Sequence, residues 1–206
     1  MPPITLAFAT SLYRAKLGGA NLPAFLDGLR IAARAIAQED AAGQAWSQDA
    51  GYAGYTSYAS IADLADRSPV FASLVGRLAP HLATFAGELD FDLRGHKPVV
   101  DSIWINILEP GGAHAGHIHT NSVISGTVYI DVPDGASAIR FEDPRLDKMM
   151  AAPPRKAKAG PHNKSFVSIQ PAPGTVLLWE SWLRHEVLLN RAHEDRISVS
   201  FNAVLA

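Results

Sequence analysis

Apolar residues in the first part of the chain recur every three or four positions, which is the spacing of one helix face. The first stripe follows Asn21, a residue type favoured at helix N-caps, and the second follows Ser68 and Pro69, with proline suited to the first helical position. The stripes consist of Leu22, Phe25, Leu26, Leu29, Ala33 and Ile36, and of Phe71, Leu74, Val75, Leu78, Leu82, Phe85 and Leu89. The pattern predicts two amphipathic helices, and the apolar segment 4–17 before them could form an edge strand.

From about residue 99 the pattern changes to short β-branched and aromatic runs separated by turn residues. The runs are VVDSIWINIL, SVISGTVYIDV, SAIRFED, SFVSIQ, GTVLLWE, HEVLLN and RISVSFNAVL. No helical pattern separates them, so they predict an antiparallel sandwich or barrel rather than a parallel sheet. The predicted fold class is α+β: a single domain of residues 1–206, with a mainly helical part at 1–97 packed on a β part at 98–206.

Two segments show neither the helical nor the strand periodicity. Residues 43–60, which include GYAGYTSY, are interpreted as a loop that reaches the active site, with surface packing of aromatic side chains as the alternative. Residues 147–164 are rich in Pro, Lys and Ala, and a loop of this length in a compact domain is usually functional or disordered. Both segments are candidate lids.

Composition excludes several classes of site and partner. The chain of 206 residues has no cysteine, which rules out disulfides, thiolate nucleophiles and iron–sulfur clusters. Its net charge of -2 gives no electrostatic case for a nucleic acid or an anionic membrane as partner. Without a signal-like N-terminus or a long apolar run, a cytoplasmic location is expected.

Histidines are concentrated in the segment GGAHAGHIH. His117 and His119 are one residue apart, so on a strand their side chains share a face and could bind one metal ion, whereas His114 is interpreted as an exposed turn residue before that strand. His185 follows an apolar strand and could supply a third ligand. On the last strand, Arg196 and Ser198 share a face, where a guanidinium and a hydroxyl could hold a carboxylate.

This order of motifs, HxH, a distant His and then RxS, resembles that of the 2-oxoglutarate/Fe(II) oxygenases of the double-stranded β-helix (jelly-roll) fold. More narrowly, GHIHTNSVISGTVYIDVP, FEDPR, ESWLRHEV and RISVSFN resemble the signature blocks of a bacterial and phage family of 2OG-Fe(II) oxygenases. The resemblance implies Fe(II) and 2-oxoglutarate as cofactors, His117 and His185 as iron ligands, and Arg196 with Ser198 as the site of the distal 2-oxoglutarate carboxylate. It implies an oxygenase, most simply a hydroxylase.

One position departs from the wider superfamily, which usually has Asp or Glu two residues after the first histidine. His119 stands there, and it either completes an all-histidine site or leaves iron with two histidines. A neutral imidazole in this position removes one negative charge, which should weaken retention of Fe(II). Asn106 and Tyr129, on strands near the predicted metal, are candidates for hydrogen bonds to cosubstrate or substrate.

Two other functions compete with this interpretation. A cupin-type metalloenzyme that uses no 2-oxoglutarate fits Gly111 and the HxH spacing, although it gives the RxS strand no role. A non-catalytic β-sandwich binding module would retain the histidines without redox chemistry. The expected substrate is a small molecule or a protein side chain, and an exposed edge strand could support a homodimer.

Overall fold

The computed structural model describes residues 4–206. Its helices are α1 (Leu22–Glu39), α2 (Ala41–Asp49), α3 (Leu64–Arg67) and α4 (Pro69–Glu88). Its strands are β1 (Tyr13–Lys16), β2 (Gly54–Thr56), β3 (Pro98–Leu108), β4 (His114–His117), β5 (Ile124–Asp131), β6 (Ile139–Glu142), β7 (Phe166–Ile169), β8 (Thr175–Glu180), β9 (His185–Val187) and β10 (Arg196–Leu205). All seven predicted strand segments are confirmed.

The strands form two antiparallel sheets that together make a jelly roll. The larger sheet has the order β1-β8-β5-β10-β3-β2, and the smaller has the order β4-β9-β6-β7. From β3 to β10 the chain passes repeatedly between the two sheets, with four strands in each, and β1 and β2 extend the edges of the larger sheet. This is the predicted double-stranded β-helix, and β1 is the predicted edge strand.

The N-terminal helices pack on the larger sheet as the apolar stripes predict. Leu29 of α1 and Phe71 of α4 are fully buried and share one core with Val199 and Phe201 of β10. Asn21 is the N-cap of α1 as predicted, but it lies in the left-handed region with φ 51° and its side chain makes no capping hydrogen bond. Burial of the stripe, rather than capping, therefore stabilises α1.

The interpretation of residues 43–60 as a loop is wrong, although the segment does line the cavities beside the histidines, as its predicted approach to the site requires. The segment contains most of α2 and all of β2, which adds to the sheet by pairing Gly54–Thr56 with Leu108–Asn106 of β3. The Asp40 side chain caps α2 by accepting a hydrogen bond from the Gly43 amide at 3.0 Å. Because α2 buries only small side chains, Gly43 and Ser47, it leaves no apolar stripe to recognise.

Residues 147–164 contain no strand or α-helix, in agreement with the predicted loop. Two short 3-10 turns, Leu146–Lys148 and Pro161–Asn163, are its regular elements. Nothing in this segment lines the histidine cavities described below, so its role as a lid stays a prediction. Within residues 4–206, no helix has both the length and the apolarity needed to cross a membrane.

The packing of α1 predicts different costs for two truncations on that helix. Leu29→Ala removes a fully buried side chain, and we expect the free energy of unfolding to fall by about 2–5 kcal/mol. Ile31 is 57% exposed, so Ile31→Ala should change the free energy of unfolding by less than about 0.5 kcal/mol. Urea denaturation of both variants measures the difference, and equal effects would contradict the described packing of α1.

Candidate metal centre and active site

Strand β10 separates the helix-facing core from a polar cavity between the sheets. Its apolar residues Ile197, Val199, Phe201 and Ala203 lie in the core. The intervening residues are Arg196, Ser198, Ser200 and Asn202. Since successive side chains of a strand project from opposite faces, these four point away from the helices, and the first three line the cavity.

Three histidines converge at one side of this cavity. His117 at the end of β4 is the register partner of His185 at the start of β9, and their ring centroids are 4.4 Å apart. The ring of His119 lies 5.2 Å from each of the other two. One ring nitrogen from each histidine lies within 4.8 Å of the others, so the three side chains could bind a single metal ion.

The backbone that brings His119 to this position differs from the prediction. Strand β4 ends at His117, so His119 lies beyond it and is not placed there by strand alternation. Its amide instead donates a hydrogen bond to the carbonyl of Ser181 at 3.0 Å. His114 is exposed as predicted, but it is not a turn residue, because it begins β4 and its ring is 4.3 Å from that of His117.

Each histidine of the triad has its Nδ1 beside an oxygen acceptor. Nδ1 of His117 donates to the carbonyl of Ala115 at 2.8 Å, and Nδ1 of His185 donates to the carbonyl of Leu183 at 3.0 Å. Nδ1 of His119 donates to Oδ1 of Asn202 at 2.7 Å. These contacts place the proton on Nδ1 and leave the Nε2 lone pair of each ring for a metal.

Burial keeps the cluster uncharged. Loss of hydration, followed by the neighbouring imidazoles, lowers the pKa of His185 to about 3 and that of His119 to about 4. Burial also lowers the pKa of His117. The rings are therefore neutral near pH 7, the form in which imidazole binds metals.

The triad fits Fe(II). Three imidazole nitrogens are suitable donors for iron, and three protein ligands leave coordination positions for a chelating cosubstrate and dioxygen. Nε2 of His119 is buried without a hydrogen-bond partner, which a metal ion at this point would supply. The geometry thus favours His119 as a third ligand over a site built on two histidines.

Arg196 is the second notable feature of the cavity. The residue is only 3% exposed, and its guanidinium carbon lies 4.8 Å from the ring centre of Tyr129. The neighbouring Asp195 does not pair with Arg196 but with Arg34, at 3.0 Å. Ser198 is also buried and lines the same cavity.

Unpartnered polar atoms are concentrated in this cavity. In the described part of the chain, five buried side-chain polar atoms lack a hydrogen-bond partner, and four belong to residues that line it. The four are Nε2 of His119, the hydroxyl of Tyr129, Nε1 of Trp179 and Nε of Arg196. Buried polar groups are rarely left unsatisfied, so this concentration indicates a polar ligand.

Asn106 lines the cavity as predicted, but its side chain is largely engaged by the protein. Its Oδ1 accepts from Oγ1 of Thr56 at 3.0 Å, and its Nδ2 donates to Oγ of Ser200 at 3.0 Å. One amide proton is left, so Asn106 is better suited to connecting β2, β3 and β10 than to holding the cosubstrate. Its predicted cofactor contact, like that of Tyr129, stays a prediction.

Sequence reasoning missed several residues of the site. Asn202 could have been found by counting every second residue along β10 from Arg196, because this count places Asn202 on the same face of the strand. His114 was visible as a member of the histidine segment. Tyr52 and Tyr58 lie in the segment 43–60 that was predicted to reach the active site, but their individual positions depend on how α2 and β2 pack.

Comparisons with known proteins agree with this geometry. The family model described as "Putative 2OG-Fe(II) oxygenase" matches residues 102–202. The search of curated proteins gives no match. Among solved structures, the chain resembles the non-heme alpha ketoglutarate dependent epimerase SnoN from nogalamycin biosynthesis, with 14% identity, TM-score 0.63, and coverage of 95% of this chain and 78% of that one.

Two further structures extend the comparison. HygX from Streptomyces hygroscopicus, solved with nickel and 2-oxoglutarate bound, has 13% identity and TM-score 0.59, with 95% of this chain and 82% of that chain covered. A 2OG-Fe(II) oxygenase family oxidoreductase from Burkholderia pseudomallei has 16% identity and TM-score 0.48, too low to define a shared fold. That match covers 66% of this chain and 58% of the other. At these identities the likeness to SnoN and HygX shows the fold.

The convergence of ring nitrogens predicts which histidines bind the metal. Substitution of His117, His119 or His185 by Ala should lower Fe(II) affinity at least about 100-fold, because loss of an outer-shell partner alone costs about 10–100-fold. His114→Ala is the matched control, since His114 lies beside the triad but outside the set of converging donors. Anaerobic calorimetry measures the affinities, and equal loss in His114→Ala would contradict the assignment.

The Asn202 contact makes a separate prediction. Asn202→Leu removes the acceptor that orients His119, and we expect about 10–100-fold weaker Fe(II) binding. Asn202→Asp retains an oxygen acceptor and should bind iron within a few-fold of the wild-type protein. Thermal unfolding of the metal-free variants controls for loss of fold, and unchanged affinity in a folded Asn202→Leu protein would show that Asn202 has no such role.

Proposed function

Because the chain belongs to the 2OG-Fe(II) oxygenases, we propose that it couples decarboxylation of 2-oxoglutarate to hydroxylation of a small-molecule substrate. The observation that carries this proposal is a buried arginine whose Nε has no hydrogen-bond partner among residues 4–206, in the same cavity as three converging neutral histidines. A cation buried in this way is costly unless a ligand supplies an anion, and 2-oxoglutarate carries two carboxylates.

The proposed roles divide the cavity into two parts. His117, His119 and His185 would hold Fe(II), with the Nδ1 contacts of their rings setting orientation. When bound, the iron supplies dioxygen activation, through which 2-oxoglutarate and O₂ yield succinate, CO₂ and one oxygen atom inserted into a substrate C–H bond. The guanidinium of Arg196 and the hydroxyl of Ser198 would bind the distal carboxylate.

Other residues of the cavity would position the cosubstrate and exclude water. Tyr129 is fully buried, and its unpartnered hydroxyl is available to a cosubstrate oxygen. Its ring packs under the guanidinium of Arg196 and limits the directions in which that side chain can turn. Trp179 contacts His185 edge-on, with ring centroids 4.6 Å apart, and shields that ligand from solvent. A dry site strengthens each of these charge interactions.

The cupin-type and non-catalytic alternatives explain this cavity less well. Neither gives a reason to bury Arg196 at the start of β10 with its Nε unpaired among the described residues, or to leave the hydroxyl of Tyr129 unsatisfied nearby. The choice of a small molecule over a protein side chain as substrate, the hydroxylation outcome, the cytoplasmic location, the homodimer and the lack of nucleic-acid or membrane partners stay predictions.

The role of Arg196 predicts a loss of cosubstrate binding without loss of metal. Arg196→Met keeps much of the apolar stem of the side chain but removes its charge, and we expect 2-oxoglutarate to bind about 100-fold or more weakly, since loss of one partner of a buried charge pair costs about 2–5 kcal/mol. The control is Arg191→Met at an exposed position. Anaerobic titration of the iron-loaded protein measures the affinity.

The same samples test the alternatives. Iron affinity should stay within a few-fold of wild type in Arg196→Met, because the histidine triad is intact. If 2-oxoglutarate binds the wild-type protein only weakly, and binds the Arg196→Met protein with the same affinity, the oxygenase proposal is wrong.

A further inference from the structure

A second cavity of about 360 Å³ lies outside the inner one. The two share a wall that includes His114, His117, His119, Trp104 and Asn106. A molecule in the outer cavity would therefore lie next to the proposed iron ligands without occupying the place of 2-oxoglutarate. The volume is at the lower end of the range of about 300–1,000 Å³ that is typical of small-molecule sites.

Aromatic rings form much of the outer cavity. Trp104 on β3 stacks near His119, with ring centroids 5.8 Å apart, and contacts Tyr58 edge-on at 5.2 Å. Trp46 on α2 continues the series, 6.3 Å from Tyr58. On the other side, Tyr52 contacts His114 edge-on at 5.6 Å. Rings thus extend from the metal centre to the surface along one wall.

The outer end of this wall is exposed. Trp46 is 40% exposed and Tyr58 is 59% exposed. Ile118, which also lines this cavity, is 47% exposed. Large apolar side chains grouped at the mouth of a cavity indicate a binding surface rather than scattered surface residues. Burial of these rings by a bound molecule would remove apolar area from water.

The cavity contains no fixed charge. None of the described residues that line it is Asp, Glu, Lys or Arg, and its polar groups outside the histidines and tyrosines are the hydroxyls and amides of Thr56, Thr120, Asn106, Asn121 and Asn202. Such groups can bind a carbonyl or a hydroxyl of a ligand, but none of them neutralises an ionic group. Burial of an unpaired ion there would be costly.

The inner cavity adds a positive field. A divalent ion on three neutral imidazoles, together with Arg196, carries three positive charges, and the two carboxylates of 2-oxoglutarate leave one uncompensated. A carboxylate ligand in place of His119 would cancel that charge, but this chain has none there. A cationic substrate is therefore repelled despite the aromatic walls, which otherwise suit cations. An anionic substrate is attracted by the same charge but finds no Lys or Arg in the described lining to offset the loss of its hydration.

We propose that the substrate of this oxygenase is an uncharged, planar ring compound, held in the outer cavity by the rings of Trp46, Tyr58 and Trp104. The identification of this compound as a substrate rests on the proposed function, but its binding to the protein can be measured without turnover. The reacting C–H bond lies on the part of the molecule nearest His117 and His119. An exocyclic carbonyl or hydroxyl is bound by the threonine and asparagine side chains.

The test uses three probes that share one ring system and differ in charge: 2-naphthamide, 2-naphthoate and (2-naphthylmethyl)trimethylammonium. They are titrated into the anaerobic protein loaded with Fe(II) and 2-oxoglutarate, and binding is measured by calorimetry. We expect the neutral probe to bind at least about tenfold more tightly than either ion. Tightest binding of the cation or of the anion would overturn the proposal.

Variants connect this preference to the aromatic wall. Trp46→Ala and Tyr58→Ala should each weaken binding of 2-naphthamide about tenfold, whereas Trp46→Phe, which keeps an aromatic ring, should lose less. The matched control is Trp182→Ala, since Trp182 is 47% exposed but does not line this cavity. Affinity for the neutral probe that is unchanged in Trp46→Ala and Tyr58→Ala would overturn the proposal.

Titration of 2-oxoglutarate in the same variants separates this inference from the proposed function. Trp46 and Tyr58 do not line the inner cavity, so both variants should bind 2-oxoglutarate as the wild type does. Normal Arg196-dependent binding of 2-oxoglutarate without selectivity for the neutral probe means that the substrate class is wrong and the oxygenase proposal stands. Absent binding of 2-oxoglutarate means that the oxygenase proposal itself is wrong.

Discussion

The two faces of strand β10 are the constraint on which the site depends. The strand lies between β3 and β5 in the larger sheet, so neither its position nor its register can shift without disrupting both neighbours. One face contributes Val199 and Phe201 to the core beneath the helices. A shift by one residue would exchange this face for the one that carries Arg196 and Asn202. Packing of the helices therefore also determines where the guanidinium and the His119 acceptor lie.

The candidate site combines neutrality with unsatisfied polar groups. The three imidazoles are uncharged because burial lowers their pKa values, and Nε of the buried Arg196 has no hydrogen-bond partner in the described part of the chain. Both features are unfavourable for a structure that binds nothing and suitable for one that binds a metal ion and a dicarboxylate. The cost of leaving such groups unpaired is offset by the rest of the fold, which is the usual arrangement at functional sites.

An all-histidine metal set has consequences beyond metal retention. It lacks the negative charge that a carboxylate ligand would bring, and the oxygen contact to Oδ1 of Asn202 only partly compensates, because an amide oxygen is neutral. In the proposed complex the uncompensated charge would extend into the outer cavity, whose described lining residues carry no charge. The metal ligands and the selection of substrate by charge are in this way physically connected.

The sequence by itself determined the helical stripes, the seven strand segments and the residues of the chemistry, because periodicity and residue type are local properties of the chain. It also placed Arg196 and Ser198 on one face, since alternation along a strand requires no knowledge of its neighbours. Tertiary structure alone decided the position of His119, which depends on a backbone contact with Ser181, and the contact of His119 with Asn202, which is 83 positions away. It also decided that residues 43–60 form a helix and a strand. Those features arise from pairing with distant segments, and no local pattern encodes such pairing.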